Sequence, residues 1–150
     1  MSISSTLNSQ NWLEKINGTD TYVKDMLSFF NDGYEARGVD DQDKIKERLR
    51  AAVINSLTYT HEIISELGKL DIKPTKAYIK GVSLVSLTVL ISVSIDDYLS
   101  DAFTQIYNST YKIEKESKSE NYGVSFNFTF DDGNIDPEAL SCDGFIAIHP

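Results

Sequence analysis

Cysteine and positive charge are both scarce in this sequence. Cys142 is the one cysteine among 150 residues, so no disulfide can form within the chain, and a reducing compartment would suit it. The 14 Lys and Arg residues are outnumbered by 23 Asp and Glu, which gives a formal net charge of −9. Nonspecific binding to a phosphate backbone needs clustered Lys and Arg. We therefore expect no direct binding to nucleic acid.

Long apolar runs and glycine-rich phosphate loops are also missing. The longest uncharged stretch, 81–95, has fifteen residues and contains five Ser or Thr, whereas a membrane-spanning helix needs about 20 predominantly apolar residues. The start of the chain has neither the basic residues nor the apolar core of an export signal. No Gly-x-Gly-x-x-Gly or Walker-type loop occurs. We expect a cytoplasmic protein with no membrane span and no cofactor.

Apolar residues recur at helical spacing through about the first 70 positions. The pattern predicts a short helix from Ser9 to Gly18 and a second helix beginning at Thr19 or Asp20. A third and longer helix is predicted from Asp41 to Leu67. For this helix, Asp40 is a suitable N-cap, and Gly68 stands where a glycine commonly ends a helix.

The apolar period changes from 3.6 to 2 after Pro74, which indicates strands. Val85 to Ile95 alternate apolar and small polar residues and predict a strand with one apolar face. The alternation slips at 81–84, where we favour a bent strand over a hairpin. A second alternating segment, Tyr122 to Phe130, is equally regular, and Phe145 to His149 would supply a last strand.

Between the two major strands, the spacing predicts one helix of about 18 residues, capped by Asp96 or Asp97. Leu99 and Phe103 fall on its predicted apolar face. A strand, a helix and a second strand form a crossover that should be right-handed with parallel strands. Both strands have one apolar and one polar face, so we expect helices on one side of the sheet and an exposed Ser, Thr and Asn side.

The predicted fold class is α+β. The helical N-terminal half, 1–72, packs on one face of a small mixed β-sheet that contains a β-α-β crossover and is formed by the C-terminal half, 75–150. The result is a two-layer sandwich in which residues 1–150 form a single domain.

The densest group of possible oxygen ligands comprises Asp131, Asp132, Asp136 and Glu138. Carboxylates of this kind bind hard cations such as calcium, but the spacing does not fit an EF-hand, because Phe128 falls where a carboxylate is required. A polar turn followed by a capped helical turn explains the same residues. Since 119–150 contain no Lys or Arg, we also consider these acidic residues candidates for binding a basic partner.

Eight tyrosines are present, and three of them, Tyr107, Tyr111 and Tyr122, lie on or just after the crossover helix. Tyrosines are enriched at binding hot spots, but they also cover the margins of hydrophobic cores. We favour the core for these three side chains and keep Tyr107 and Tyr111 as candidate partner-binding residues.

No catalytic constellation is evident, so enzymatic activity stays open and a binding role is favoured. Our first hypothesis is a non-enzymatic, acidic protein-binding domain that meets a basic partner, such as an immunity protein, an antitoxin or another inhibitor. A second is a self-assembling structural or phage-assembly subunit that forms a homo-oligomer through a helix or a sheet edge. A third is a small metal-dependent enzyme that uses the acidic residues near Asp131.

Overall fold

The computed structural model describes residues 18–30, 38–83, 85–120 and 122–148. The predicted helix from Ser9 to Gly18 lies almost entirely outside these residues. The described elements follow the order α1 (Thr19–Phe30), α2 (Val39–Lys69), β1 (Lys76–Gly81), β2 (Ser86–Ser94), α3 (Ile95–Tyr98), a 3-10 turn (Asp101–Phe103), α4 (Thr104–Ser117), β3 (Gly123–Asp131), α5 (Pro137–Cys142) and β4 (Ile146–Ala147).

The long helix α2 was predicted with the correct extent to within two residues, but both of its predicted end signals are wrong. Gly38, not Asp40, occupies the N-cap position, and no side chain caps the helix there. Gly68 lies inside the last turn, and the residue with a left-handed backbone is Asp71, at φ 59°. The N–H of Ile72 donates to the carbonyl of Leu67 and that of Asp71 to Gly68, which is a complete Schellman motif.

Strands β1 and β2 form an antiparallel hairpin, which corrects the predicted bent strand. Lys76 pairs with Ser92 at one end, and Gly81 pairs with Leu87 at the other. The N–H of Val82 donates to the carbonyl of Ser86 at the turn. A Cβ added at Gly81 would lie 3.0 Å from the ring of Phe30 in α1, so a larger residue there would require the Phe30 side chain to shift.

The connection from β2 to β3 is interrupted where a single helix was predicted. The hydroxyl of Ser94 accepts from the N–H of Asp97 at the start of α3, and that of Ser100 accepts from Phe103 at the 3-10 turn. These serines, and not Asp96 or Asp97, are the N-caps. The break between the two caps turns Leu99 outward, where 73% of its surface is exposed, contrary to the prediction.

The predicted crossover is confirmed, because β2 and β3 pair in parallel from Ser86 and Gly123 to Ser94 and Asp131. The sheet has the order β3-β2-β1-β4, with β1 antiparallel to both of its neighbours. One face of the sheet packs against the helices and forms the core, to which β2 and β3 contribute Leu87, Val89, Ile91, Val93, Val124 and Phe126. The α+β two-layer class is therefore as the sequence predicted.

The connection from β3 to β4 passes the other face of the sheet. The strand register places Tyr78, Lys80 and Phe145 on this second face, where the Lys80 ammonium lies 5.3 Å from the centre of the Phe145 ring. Tyr78 is 5% exposed and lines a cavity together with Pro137. The polar face is thus partly covered, whereas we expected the Ser, Thr and Asn side of the sheet to be exposed. From β2 to β3 the chain moves across the sheet in one direction, with α4 on the core face, and from β3 to β4 it moves back in the opposite direction. For both connections between parallel strands to be right-handed, the second one must cross the other face of the sheet.

A buried hydroxyl pair connects the helical layer to the sheet layer. Ser56 in the middle of α2 and Tyr122 just before β3 are hydrogen bonded through their side-chain oxygens at 2.8 Å. The ring of Tyr122 also stacks on Tyr59, with centroids 6.3 Å apart. Burial raises the pKa of Tyr122 to about 12, since the negative phenolate would be poorly solvated there.

Candidate functional site

The carboxyl-terminal ends of β2 and β3 lie side by side, with Ser94 opposite Asp131. From this point the chain after β2 continues into helices on the core face, whereas the chain after β3 passes to the second face. In open sheets, a pair of parallel strands whose connections leave to opposite faces creates a crevice at their carboxyl ends, and ligands commonly bind there. This edge of the sheet is therefore where a binding site is expected.

Acidic residues are concentrated at this edge. They are Asp96 and Asp97 in α3, Asp101 at the 3-10 turn, and Asp131 and Asp132 at the end of β3. Among the described residues, side-chain ion pairs join Arg50 to Asp20 and Lys69 to Glu66, and neither pair involves these five carboxylates. No basic side chain in the described part of the chain forms an ion pair with any of them.

The predicted acidic group from Asp131 to Glu138 does not converge on one point. The two oxygens of Asp131 accept from the N–H of Gly133 at 3.0 Å and the hydroxyl of Thr75 at 3.1 Å. Asp132 accepts from the N–H of its own turn, and Asp136 caps α5, as predicted, by accepting from two N–H groups. Glu138 is exposed in the first turn of α5.

This arrangement offers no metal centre in the part of the chain that the structure describes. No three His, Cys, Asp or Glu side chains come together there in a way that could hold an ion. Asp131 and Asp136 stabilise a turn and a helix start, which agrees with the alternative that the sequence had left open. Cys142 is exposed at the end of α5, whereas His149 lies outside the described residues.

Next to the acidic residues lies a cluster of five aromatic rings, which we call the aromatic cluster: Tyr98, Phe103, Tyr107, Phe128 and Phe130. Phe103 is at its centre, with ring centroids 5.3 to 5.4 Å from those of Tyr98, Tyr107 and Phe128. Tyr98 continues the cluster to Phe130 at 5.6 Å. Most of these contacts are edge-to-face, the geometry that aromatic quadrupoles favour. The cluster therefore fixes its rings in defined orientations.

The outer side of the aromatic cluster faces solvent. Tyr107 and Phe130 are 47% and 38% exposed. Three further large apolar side chains from the same segment between β2 and β3 are more than 40% exposed: Ile95, Leu99 and Tyr111. Large side chains carry about 200 Å² each, so these five leave on the order of 500 Å² exposed. A patch of that size is at the upper end for a monomer and commonly marks a binding site. We call it, with the five flanking carboxylates, the acidic–aromatic surface.

The predicted candidate residues divide between this surface and the rest of the molecule. Tyr107, Tyr111, Asp131 and Asp132 belong to it, whereas Asp136 and Glu138 lie on the connection to β4. Tyr122 is 8% exposed and belongs to the core, as predicted, but Tyr107 and Tyr111 do not. Burial against the cluster and a hydrogen bond with Tyr98 raise the pKa of Tyr107 above its ordinary value.

Sequence analysis missed Leu99 and Phe130 as surface residues. Leu99 fits a helical apolar stripe, and Phe130 fits the inward face of a strand, so local periodicity assigned both to the core. A signal was nevertheless present in the serines at 94 and 100, because serine is a favoured N-cap and each of them allows a helix to begin after it.

Two cavities lie elsewhere on the molecule. One, of about 410 Å³, is at the amino ends of β2 and β3 and is lined by Glu114 and Lys118 as well as small hydroxyl residues. The other, of about 370 Å³, lies beside β4 and is lined by Asp25, Phe29 and Tyr78 among others. Among the described residues that line these two cavities there is no histidine and no cysteine.

Comparison with known proteins identifies neither a family nor a function for this chain. The chain matches no protein-family model, and searches of the curated proteins and of the solved structures returned no match. Within the described residues, no helix combines the length and the apolar character that crossing a bilayer requires.

Proposed function

We propose that this chain is a non-enzymatic protein-binding domain that recognises a basic protein partner through the acidic–aromatic surface, as an immunity protein, an antitoxin or another inhibitor would. One observation carries the proposal: exposed aromatic side chains lie directly beside carboxylates that have no ionic partner among the described residues.

The two parts of the surface would serve different steps of binding. Aromatic side chains supply most of the energy in protein interfaces, because they bury a large area with little loss of side-chain entropy. Flanking charges of one sign attract a partner of opposite sign and accelerate its association. An overall charge of −9 adds to this attraction at low ionic strength.

The test uses a synthetic peptide of about ten residues that alternates Lys and Val, which we call the Lys-Val peptide. Its dissociation constant is measured by calorimetry or fluorescence at about 50 mM NaCl, against the wild-type chain and two charge variants. The variant Asp96→Lys/Asp101→Lys reverses two exposed charges of the surface. The matched control, Asp43→Lys/Glu47→Lys, makes the same change on exposed positions of α2.

These control positions are far from the surface. Helix α2 contacts Tyr122, at the amino end of β3, through Ser56. Glu47 and Asp43 lie about 14 and about 20 Å further along the helix axis, at about 1.5 Å per residue. We expect the Asp96→Lys/Asp101→Lys variant to bind at least about tenfold more weakly than the control variant at low salt. Equal weakening in both variants would show a general charge effect and would contradict the proposal.

The aromatic part is tested with Tyr111→Ser. Tyr111 is 65% exposed, so the substitution should leave the free energy of unfolding almost unchanged. We expect it to weaken binding of the Lys-Val peptide by about tenfold, with loss that persists at about 500 mM NaCl, where charge attraction is screened. Unaltered affinity would show that Tyr111 does not take part.

A further inference from the structure

The acidic–aromatic surface is bordered by an open edge of the sheet. Strand β3 pairs with β2 on one side, and no described strand lies on its other side. In a parallel ladder the N–H and C=O of one residue point to the same neighbour, and the next residue points the opposite way. The N–H of Gly123 donates to the carbonyl of Val85, the residue just before β2, and so points toward β2. Residues 124, 126, 128 and 130 therefore direct their backbone groups outward.

One of these outward groups is already occupied. The N–H of Phe126 donates to the carboxylate of Glu114 on α4 at 2.7 Å, a short bond typical of a charged acceptor. Further along the strand, at Phe128 and Phe130, no described side chain is hydrogen bonded to the N–H. The edge is thus blocked in its middle by one carboxylate. In its carboxyl-terminal half, the described side-chain contact to these backbone groups is a long 3.5 Å hydrogen bond that the Thr129 hydroxyl donates to the carbonyl of Phe130, which an added strand can replace.

One row of side chains on helix α4 runs alongside this part of β3. Tyr107, Tyr111 and Glu114 follow the spacing i, i+4 and i+7, so they lie in one row along the helix. Tyr107 contacts Phe128 at one end of the row, with ring centroids 5.9 Å apart, and Glu114 binds Phe126 at the other. A strand added next to β3 would lie under the two exposed tyrosine rings. Its side chains on that face would pack against them.

We infer that the basic partner binds as an extended segment that adds a strand to the carboxyl-terminal half of β3, hydrogen bonded to the backbone of Phe128 and Phe130 and covered by Tyr107 and Tyr111. The inference rests on the proposed function and specifies how the partner binds. Such edge-strand addition is a recurrent mode of peptide recognition, in which the main chain supplies affinity and alternate side chains supply specificity.

Charge decides which occupant fits this edge. The carboxyl-terminal half of β3 ends at Asp131 and Asp132, with Asp96 and Asp97 following the adjacent strand. A segment with Lys or Arg at alternate positions would place its cations beside these carboxylates while its apolar residues contact the tyrosines. A second copy of this chain would bring another charge of −9 to the same edge, which opposes self-pairing.

The test compares the Lys-Val peptide with two forms that carry N-methyl groups on its backbone. One form is methylated on alternate amides in one register, and the other in the opposite register, so that one of them blocks the amides that face β3. Charge and side chains are the same in all three peptides. Binding is measured to the full chain, and hydrogen exchange of the Phe128 and Phe130 amides is followed by NMR.

If the partner strand adds to β3, the unmethylated peptide slows exchange at Phe128 and Phe130 by at least about tenfold, and one methylated form binds at least about tenfold more weakly than the other. If all three peptides bind equally and exchange at both amides is unchanged, strand addition is wrong while binding of basic segments stands. If none binds at low salt, the proposed function fails as well. A dimer at micromolar concentration that protects the same amides without peptide would identify a second copy as the occupant and would also refute the inference.

Discussion

Glu114 is the residue at which the edge of the sheet and the stability of the fold can be tested together. Its carboxylate accepts the N–H of Phe126 at 2.7 Å, and the side chain is partly buried between α4 and β3. A hydrogen bond to a charged group contributes about 1.5 to 3 kcal/mol, and water can replace part of that at an edge. We expect Glu114→Ala to lower the free energy of unfolding by about 1 to 2 kcal/mol. For a domain of this size, that is about 3 to 6 °C in Tm.

The measurement is urea unfolding followed by circular dichroism, with Glu116→Ala as the matched control. Glu116 is exposed, lies on the same helix and carries the same charge, so it accounts for the change in net charge. The control should shift the free energy of unfolding by less than about 0.5 kcal/mol. Glu114→Ala also opens a further N–H of the edge, and sedimentation should detect increased self-association. A variant as stable and as monomeric as the control would refute the role assigned to Glu114.

The other predictions concern the core and the end of α2. Tyr122→Phe should lower the free energy of unfolding by about 1 to 2 kcal/mol, because it leaves the buried Ser56 hydroxyl without its partner. Ser56→Ala should destabilise the Tyr122→Phe variant much less than it destabilises the wild type. A double-mutant cycle measured by urea unfolding would show this difference. Burial raises the pKa of Tyr22 and of Tyr122 from an ordinary 10 to about 12. The folded state therefore favours the neutral phenols, and the stability that this contributes is fully present below pH 10. It is lost as the pH rises through about 12. Thermal unfolding between pH 9 and 12 should show this fall, and Tyr22→Phe/Tyr122→Phe should reduce it. Asp71→Gly should be neutral or stabilising by up to about 1 kcal/mol, whereas Asp71→Val should destabilise by about 1 to 2 kcal/mol, since a β-branched residue is strained at φ 59°.

The fold class could be predicted because its signals are local and strong. The alternation through Phe126 and its neighbours defines a strand with one apolar face, and the strand, helix, strand order implies a parallel crossover. Helix ends were less predictable. Asp and Ser cap helices equally well, so the choice between Asp96 and Ser94 depends on where β2 stops pairing with its neighbours. The hairpin lacked the Asn-Gly or Asp-Gly signature of a tight turn, which is why the pattern at 81–84 favoured a bend.

The candidate site was only half predictable for a different reason. Tyr107, Tyr111 and Glu114 form a row that is visible in the sequence, but whether that row faces core or solvent depends on β3 being at the border of the sheet. Strand order is set by contacts between distant parts of the chain, which local periodicity does not report. The same holds for Phe130, whose inward-facing ring is covered only in part, by Tyr98 of α3, and stays 38% exposed.

The opposite border of the sheet has a consequence for synthesis of the chain. The free side of β1 is closed by β4, which pairs at two positions, and by the N–H of Ile148, which donates to the carbonyl of Ala77. Residue 146 follows the end of β1 by 65 positions. At about 5 to 20 residues per second, a ribosome needs about 3 to 13 s to add them. Until these residues have been added, the backbone N–H and C=O groups on the outer side of β1 lack the partners that β4 supplies, so the nascent sheet has an unpaired edge that can pair with another chain.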